Sequence, residues 1–143
     1  TAPQTFDQTA KTVAVSSTGD VYFGGSYKGG LGALGLTSTC TETVDNSTDA
    51  GPITKINCAN LDAFVAQLAG ADGSVVCART YGDATGAQMI SSVSVARATT
   101  GALADSVTFG GSFASRLVLG PFTLDTGSGS VSDGYVARVA VSQ

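Results

Sequence analysis

The stretch Phe23-Gly24-Gly25-Ser26 returns as Phe109-Gly110-Gly111-Ser112, and its surroundings return with it. Thr12-Val13-Ala14-Val15 precedes the first copy, as Ser92-Val93-Ser94-Val95 precedes the second. Asp62-Ala63-Phe64-Val65-Ala66-Gln67-Leu68 follows the first, as Asp133-Gly134-Tyr135-Val136-Ala137-Arg138-Val139 follows the second. Three blocks in one order make an internal repeat, and a repeat constrains architecture before any single residue is read. The offsets are 80 residues from Thr12 to Ser92, 86 from Phe23 to Phe109 and 71 from Asp62 to Asp133. The units therefore differ by loop insertions while their strands correspond.

Within each block the apolar residues alternate. Val13 and Val15, Val21 and Phe23, and Phe64, Ala66 and Leu68 each share a face, with Val93 and Val95, Val107 and Phe109, and Tyr135, Ala137 and Val139 as counterparts. Period-two alternation over short runs marks half-buried strands. Turn residues separate them, as in Ser17-Thr18-Gly19-Asp20 and Gly70-Ala71-Asp72-Gly73. The reading is strands at 11–16, 20–27 and 62–68 in the first unit and at 92–97, 106–114 and 133–141 in the second, with a fourth strand at 74–81 in the first unit only. No helix is predicted. Four antiparallel strands joined as hairpins make a β-propeller blade, so the expected fold is all-β, two blades spanning 1–82 and 83–143, the second lacking its outer strand.

The motifs resemble the bacterial β-propeller repeats known as SBBP repeats. Gly19-Asp20-Val21-Tyr22-Phe23-Gly24-Gly25-Ser26 fits the first part of that pattern, and Asp62-Ala63-Phe64-Val65-Ala66-Gln67-Leu68 the second, with Gln67 where the family tends to carry Lys. Ala78-Arg79-Thr80-Tyr81-Gly82 fits the closing strand. The resemblance implies an exported, surface-associated protein and no defined reaction. Two blades do not close a propeller, which takes at least about four. The expected partners are therefore further blades, from identical chains, from other subunits of an assembly or from the rest of a longer polypeptide.

Composition agrees with this class. The chain of 143 residues is 43% hydrophobic and only 13% charged, against about 25% charged in an average globular protein. Glu42 is the single glutamate, and Lys11, Lys28 and Lys55 are the only lysines, too few for the charged outer faces of helices. The net charge of −4, with no Lys/Arg cluster, argues against nucleic acid and anionic membranes as partners. No apolar run reaches the ~20 residues of a membrane span. The opening Thr1-Ala2-Pro3 lacks Met and a signal pattern, which reads as a removed leader or as a piece of a longer chain.

Cys40 and Cys58 lie near the two ends of a stretch, about 36–60, without counterpart in the second unit. Cysteines at both ends of an insertion read as a disulfide-stapled loop and an oxidising, extracytoplasmic location. Cys77, in the run Val75-Val76-Cys77-Ala78, is expected to be a small buried side chain.

Catalytic chemistry is sparse. Without histidine there is no Ser-His-Asp or Cys-His pair and no histidine metal site. Gly30-Leu31-Gly32-Ala33-Leu34-Gly35 spells G-x-G-x-x-G, but a dinucleotide site needs a helix directly after it and here a Thr-rich loop follows. Asp20, Asp62, Asp105 and Asp133 stand at strand starts in both units. Such recurrence favours turn capping over the paired carboxylates of a glycoside hydrolase. Glu42, Asp45, Asn46 and Asp49 form the one acidic cluster suited to Ca²⁺, with spacing that fits no EF-hand; a solvated loop is the preferred reading, and no cofactor is expected.

Glycan binding would need aromatic faces, and there is no Trp. Tyr22 and Tyr135 read as packing residues, whereas Tyr27 and Tyr81, at strand ends, are the candidates for ligand contact. Phe23, Phe64 and Phe109 read as core between blades, and Arg79, Arg97, Arg116 and Arg138 as solvated or paired across strands. The functional expectation is a non-catalytic extracellular scaffold or adhesive subunit. A propeller lectin is the alternative, and a propeller glycosidase ranks third.

Overall fold

The computed structural model describes residues 7–37, 41–45, 53–57, 60–82, 86–96, 106–127 and 131–140. They form β1 (Gln8–Val15), β2 (Val21–Tyr27), β3 (Gly30–Leu31), β4 (Leu36–Thr37), β5 (Thr41–Asp45), β6 (Ile53–Asn57), β7 (Asp62–Leu68), β8 (Val75–Tyr81), β9 (Gln88–Val95), β10 (Ser106–Ala114), β11 (Arg116–Leu119), β12 (Phe122–Asp125) and β13 (Ser132–Ala140). A single 3₁₀ turn, Gly32–Leu34, interrupts them, and no α-helix occurs among the described residues. The chain is all-β with antiparallel sheets, and none of the sheets closes on itself.

Two larger sheets carry the fold. The first runs β1-β2-β7-β8 and the second β13-β10-β9. Both place the Phe-Gly-Gly-Ser stretch on the strand that pairs with the unit's first long strand, and both shift register beside it, at Ala10/Thr12 in one and at Gly110/Gly111 in the other. The shift accounts for the second glycine of each stretch: a Cβ on Gly25 would overlap the Thr9 carbonyl, and one on Gly111 the Met89 carbonyl. Only glycine lets the bulged strand come so close.

Pairing partners lie on the same side of a sheet. One side of the first sheet therefore carries the row Thr12, Gly24, Val65 and Arg79, flanked by Tyr22 and by Ala63 with Tyr81. That side meets Val93, Phe109 and Ala137 of the second sheet, with Ile90, Val107 and Tyr135 beside them. Tyr81 stacks on Phe109 at 5.2 Å, and Phe109 meets Tyr135 edge-on at 6.3 Å. The Val93 amide donates to Thr12 Oγ1 at 3.0 Å, and the Gln88 amide to the Leu61 carbonyl at 2.7 Å, so main-chain groups as well as side chains join the sheets.

Phe109 is thus core between the sheets, as expected. Phe23 and Phe64 are not. They occupy the far side of the first sheet, where both meet or approach Tyr27: Phe23 contacts Phe64 at 5.8 Å and Phe64 contacts Tyr27 at 6.0 Å, each edge-on. The reason is the stacking direction. The side of the second sheet that holds Phe109 packs on the side of the first sheet opposite Phe23, so corresponding phenylalanines never face one another. At its open end this far side exposes Val13 and Val15, at 65% and 53%.

The connections hold more structure than expected. The loop after β10 is a hairpin, β11–β12, in which Leu119 pairs with Phe122 across Gly120-Pro121. Gly120, at φ 60°, supplies the positive φ that a two-residue turn needs at its first position. The Gly30–Gly35 stretch leads into strand β4, with no helix to receive a phosphate.

Candidate functional site

A groove of about 560 Å³ runs along β13. Four consecutive residues of that strand, Val136 to Val139, form one wall; Arg79 and Tyr81 of β8 form the other, and the β11–β12 turn from Leu119 to Leu124 closes the end. The groove exists because β13 pairs only with β10, leaving its outer edge without a strand among the described residues. Its surface is apolar and open: Val136 is 80% exposed and Phe122 68%. Arg79 and Arg138 supply its charge, and no carboxylate lies among the lining residues.

The two tyrosines expected at a ligand surface part company. Tyr27 is completely buried, with its hydroxyl beside the Thr80 side chain. Tyr81 is nearly buried but adds its ring to the groove wall, with a hydroxyl that is buried and unpartnered. Burial pushes the Tyr81 phenol up, and the neighbouring Arg79 charge partly offsets it. Burial also raises Tyr27 and, more strongly, Tyr135, whose hydroxyl donates to the Met89 carbonyl at 3.2 Å. The barrier to phenolate formation makes these groups poor acids for catalysis.

Of the strand-start aspartates, Asp20, Asp62 and Asp133 are described, and they stand in different surroundings. Asp20 accepts the Gly70 amide on Oδ1 at 3.0 Å, and Thr18 and Gln67 side chains donate to Oδ2, so it ties two turns together. Asp62 is buried at the start of β7, and Asp133 is exposed. Asp105 and Arg97 lie outside the described residues, as do Cys40, Cys58, Asn46 and Asp49. Glu42 and Asp45 fall in β5. Among the described residues no three His, Cys, Asp or Glu side chains gather as metal ligands.

Cys77 corrects the expectation of a buried thiol: it is exposed, with Sγ 3.6 Å from Gln67 Oε1. Its strand lies at a sheet edge, and the apolar run around it stays largely in solvent, with Val75 and Val76 at 42% and 47% exposed. Arg79, Arg116 and Arg138 are exposed, in line with a solvated reading, yet two of them meet at the groove.

The hairpin wall of the groove went unread in the sequence, although Leu117 and Leu119 alternating before Gly120-Pro121, with Phe122 and Leu124 after it, is a hairpin pattern. No protein-family model, curated protein or solved structure matches the chain. The resemblance to SBBP repeats therefore rests on the quoted motifs alone.

Proposed function

We propose that this chain is a non-catalytic pair of propeller-type blades that serves as a scaffold or adhesive subunit in an exported assembly and is completed by further blades. One observation carries the reading: the sheets stack front to back. Such stacking leaves a front and a back at the two ends, each shaped for another sheet and neither complementary to itself. The exposed Val13 and Val15 belong to the free end that corresponds in sequence to Val93 and Val95, the residues the second sheet uses against the first. Exposed apolar sheet faces of this sort mark association surfaces. The extracytoplasmic location follows from the proposed Cys40–Cys58 bridge and from the resemblance.

The lectin alternative has less support, because Tyr27 is inaccessible and the groove has few hydrogen-bonding groups for a sugar. The scaffold reading is tested by the native mass across a concentration series. Association into multiples of 14.1 kDa is expected, weakened by Val13→Lys with Val15→Lys while the circular dichroism of the sheets is kept. A monomer at all concentrations, indifferent to both substitutions, would remove the proposed association surface.

A further inference from the structure

We infer that the groove beside β13 is a docking site for an extended peptide segment carrying an acidic side chain, which joins the second sheet as an added strand antiparallel to β13. This rests on the blade-like reading of the sheets only in taking β8 on β7 as a guide to register.

The edge itself is the first argument. Among the described residues β1, β8, β9 and β13 are the edge strands of the two larger sheets. Pairing is interrupted by a register shift at β1, at β8 and at β9, whereas β13 runs against β10 through nine unbroken pairs, Ser106 with Ala140 to Ala114 with Ser132. Bulges blunt sheet edges against added strands, and a long regular edge invites them. The second argument is room: the groove follows this edge between β13 and β8 and is closed at its end by the hairpin turn, so an added strand enters a cleft instead of lying on open solvent.

Register and chemistry follow. On β7, Phe64 faces Thr80 and Ala66 faces Ala78 of β8. The matching positions on β13 are Tyr135 and Ala137, whose side chains lie on the side facing the first sheet. Residues of the incoming strand opposite them enter the groove that Arg79 and Tyr81 line. Opposite Ala137 a short acidic side chain meets a wall with a guanidinium and no competing carboxylate. Residues opposite Val136 and Arg138 remain on the outer side, where an apolar and an acidic group are suited respectively. Main-chain pairing gives affinity, and the alternate side chains give selectivity.

The probe is a fluorescent peptide copying residues 74–82 of this chain with Cys77→Glu, Ala78→Glu and Arg79→Val in the peptide; its control carries Ala78→Lys in place of Ala78→Glu. Anisotropy is expected to show the Glu peptide binding at least about tenfold tighter than the Lys peptide, with slowed amide exchange confined to residues 134–140. Arg79→Glu, at an exposed site, should invert the preference while the melting temperature stays put. Binding of neither peptide overturns the proposal, as does protection at another strand or a preference indifferent to Arg79→Glu. A peptide-free dimer with β13 already protected also overturns it, because a second copy then owns the edge. Association through Val13 and Val15 is read separately, so either result can fail while the other stands.

Discussion

Gly24→Ala, set against Gly110→Ala, isolates the contact between the sheets. The two glycines hold the same place in their strands, and a Cβ on either would lie 3.0 Å from a carbonyl of the neighbouring strand, that of Phe64 or that of Tyr135. That shared crowding cancels in the comparison. The added Cβ at Gly24 also lies 2.9 Å from Ile90 Cγ2 and 3.3 Å from Val93 Cγ2, both from the other sheet, whereas at Gly110 the further neighbours are Ser92 Oγ at 3.3 Å and Val136 Cγ2 at 3.4 Å on its own sheet. Ile90 is fully buried and β-branched, so its methyl has nowhere to turn. Overpacking of this kind costs about 1–3 kcal/mol, while alanine in place of glycine regains about 0.5–1 kcal/mol of backbone entropy in both variants. Gly24→Ala should therefore be less stable than Gly110→Ala by about 1–2 kcal/mol, or roughly 3–8 °C in melting temperature at this chain length. Thermal and urea unfolding followed by circular dichroism measure the difference. Equal destabilisation of the two variants would refute the packing of β9 over Gly24 and, with it, the front-to-back stacking.

Phe64→Ala and Phe109→Ala, each removing a buried ring, should cost about 3–5 kcal/mol, whereas Phe122→Ala on the groove rim should stay within about 0.5 kcal/mol; urea midpoints distinguish them. Burial raises the folded-state values of Tyr27, Tyr81 and Tyr135 above that of an unfolded tyrosine, near 10. The folded chain then holds protons that the unfolded chain gives up, so this contribution is complete below about pH 10 and fades as pH rises above it; a urea midpoint that is flat through that range would contradict the burial. Native protein should react with a thiol reagent at Cys77, and Cys77→Ser should abolish that fast phase. After unfolding without reductant a single reactive thiol is expected if Cys40 and Cys58 are bridged, and three thiols would exclude the bridge.

Alternation was enough to find the strands of the two larger sheets because it is a local consequence of the pleat. The third long strand of each unit, Asp62–Leu68 and Ser132–Ala140, lies within a residue of its reading at 62–68 and 133–141, and β10 matches its range. The starts of β1 and β9 were placed too late because Gln8-Thr9-Ala10-Lys11 and Gln88-Met89-Ile90-Ser91 lie before or across the bulge, where the period of two slips by one residue. Period two also states which residues share a side, but not which side meets the neighbouring sheet. Phe23 and Phe109 have the same local pattern and opposite fates, decided by a stacking direction that no local window contains. Cys77 shows the same limit: an apolar run is buried in a central strand and largely open in an edge strand, and edge position is a property of the whole sheet. The groove is less local still, since Arg79, the Leu119–Leu124 hairpin and Val136–Val139 come from three distant segments. The reading of four strands in the first unit and three in the second said nothing of the two arginines brought beside β13. Which charges border that edge becomes visible only once the second sheet is laid against the first.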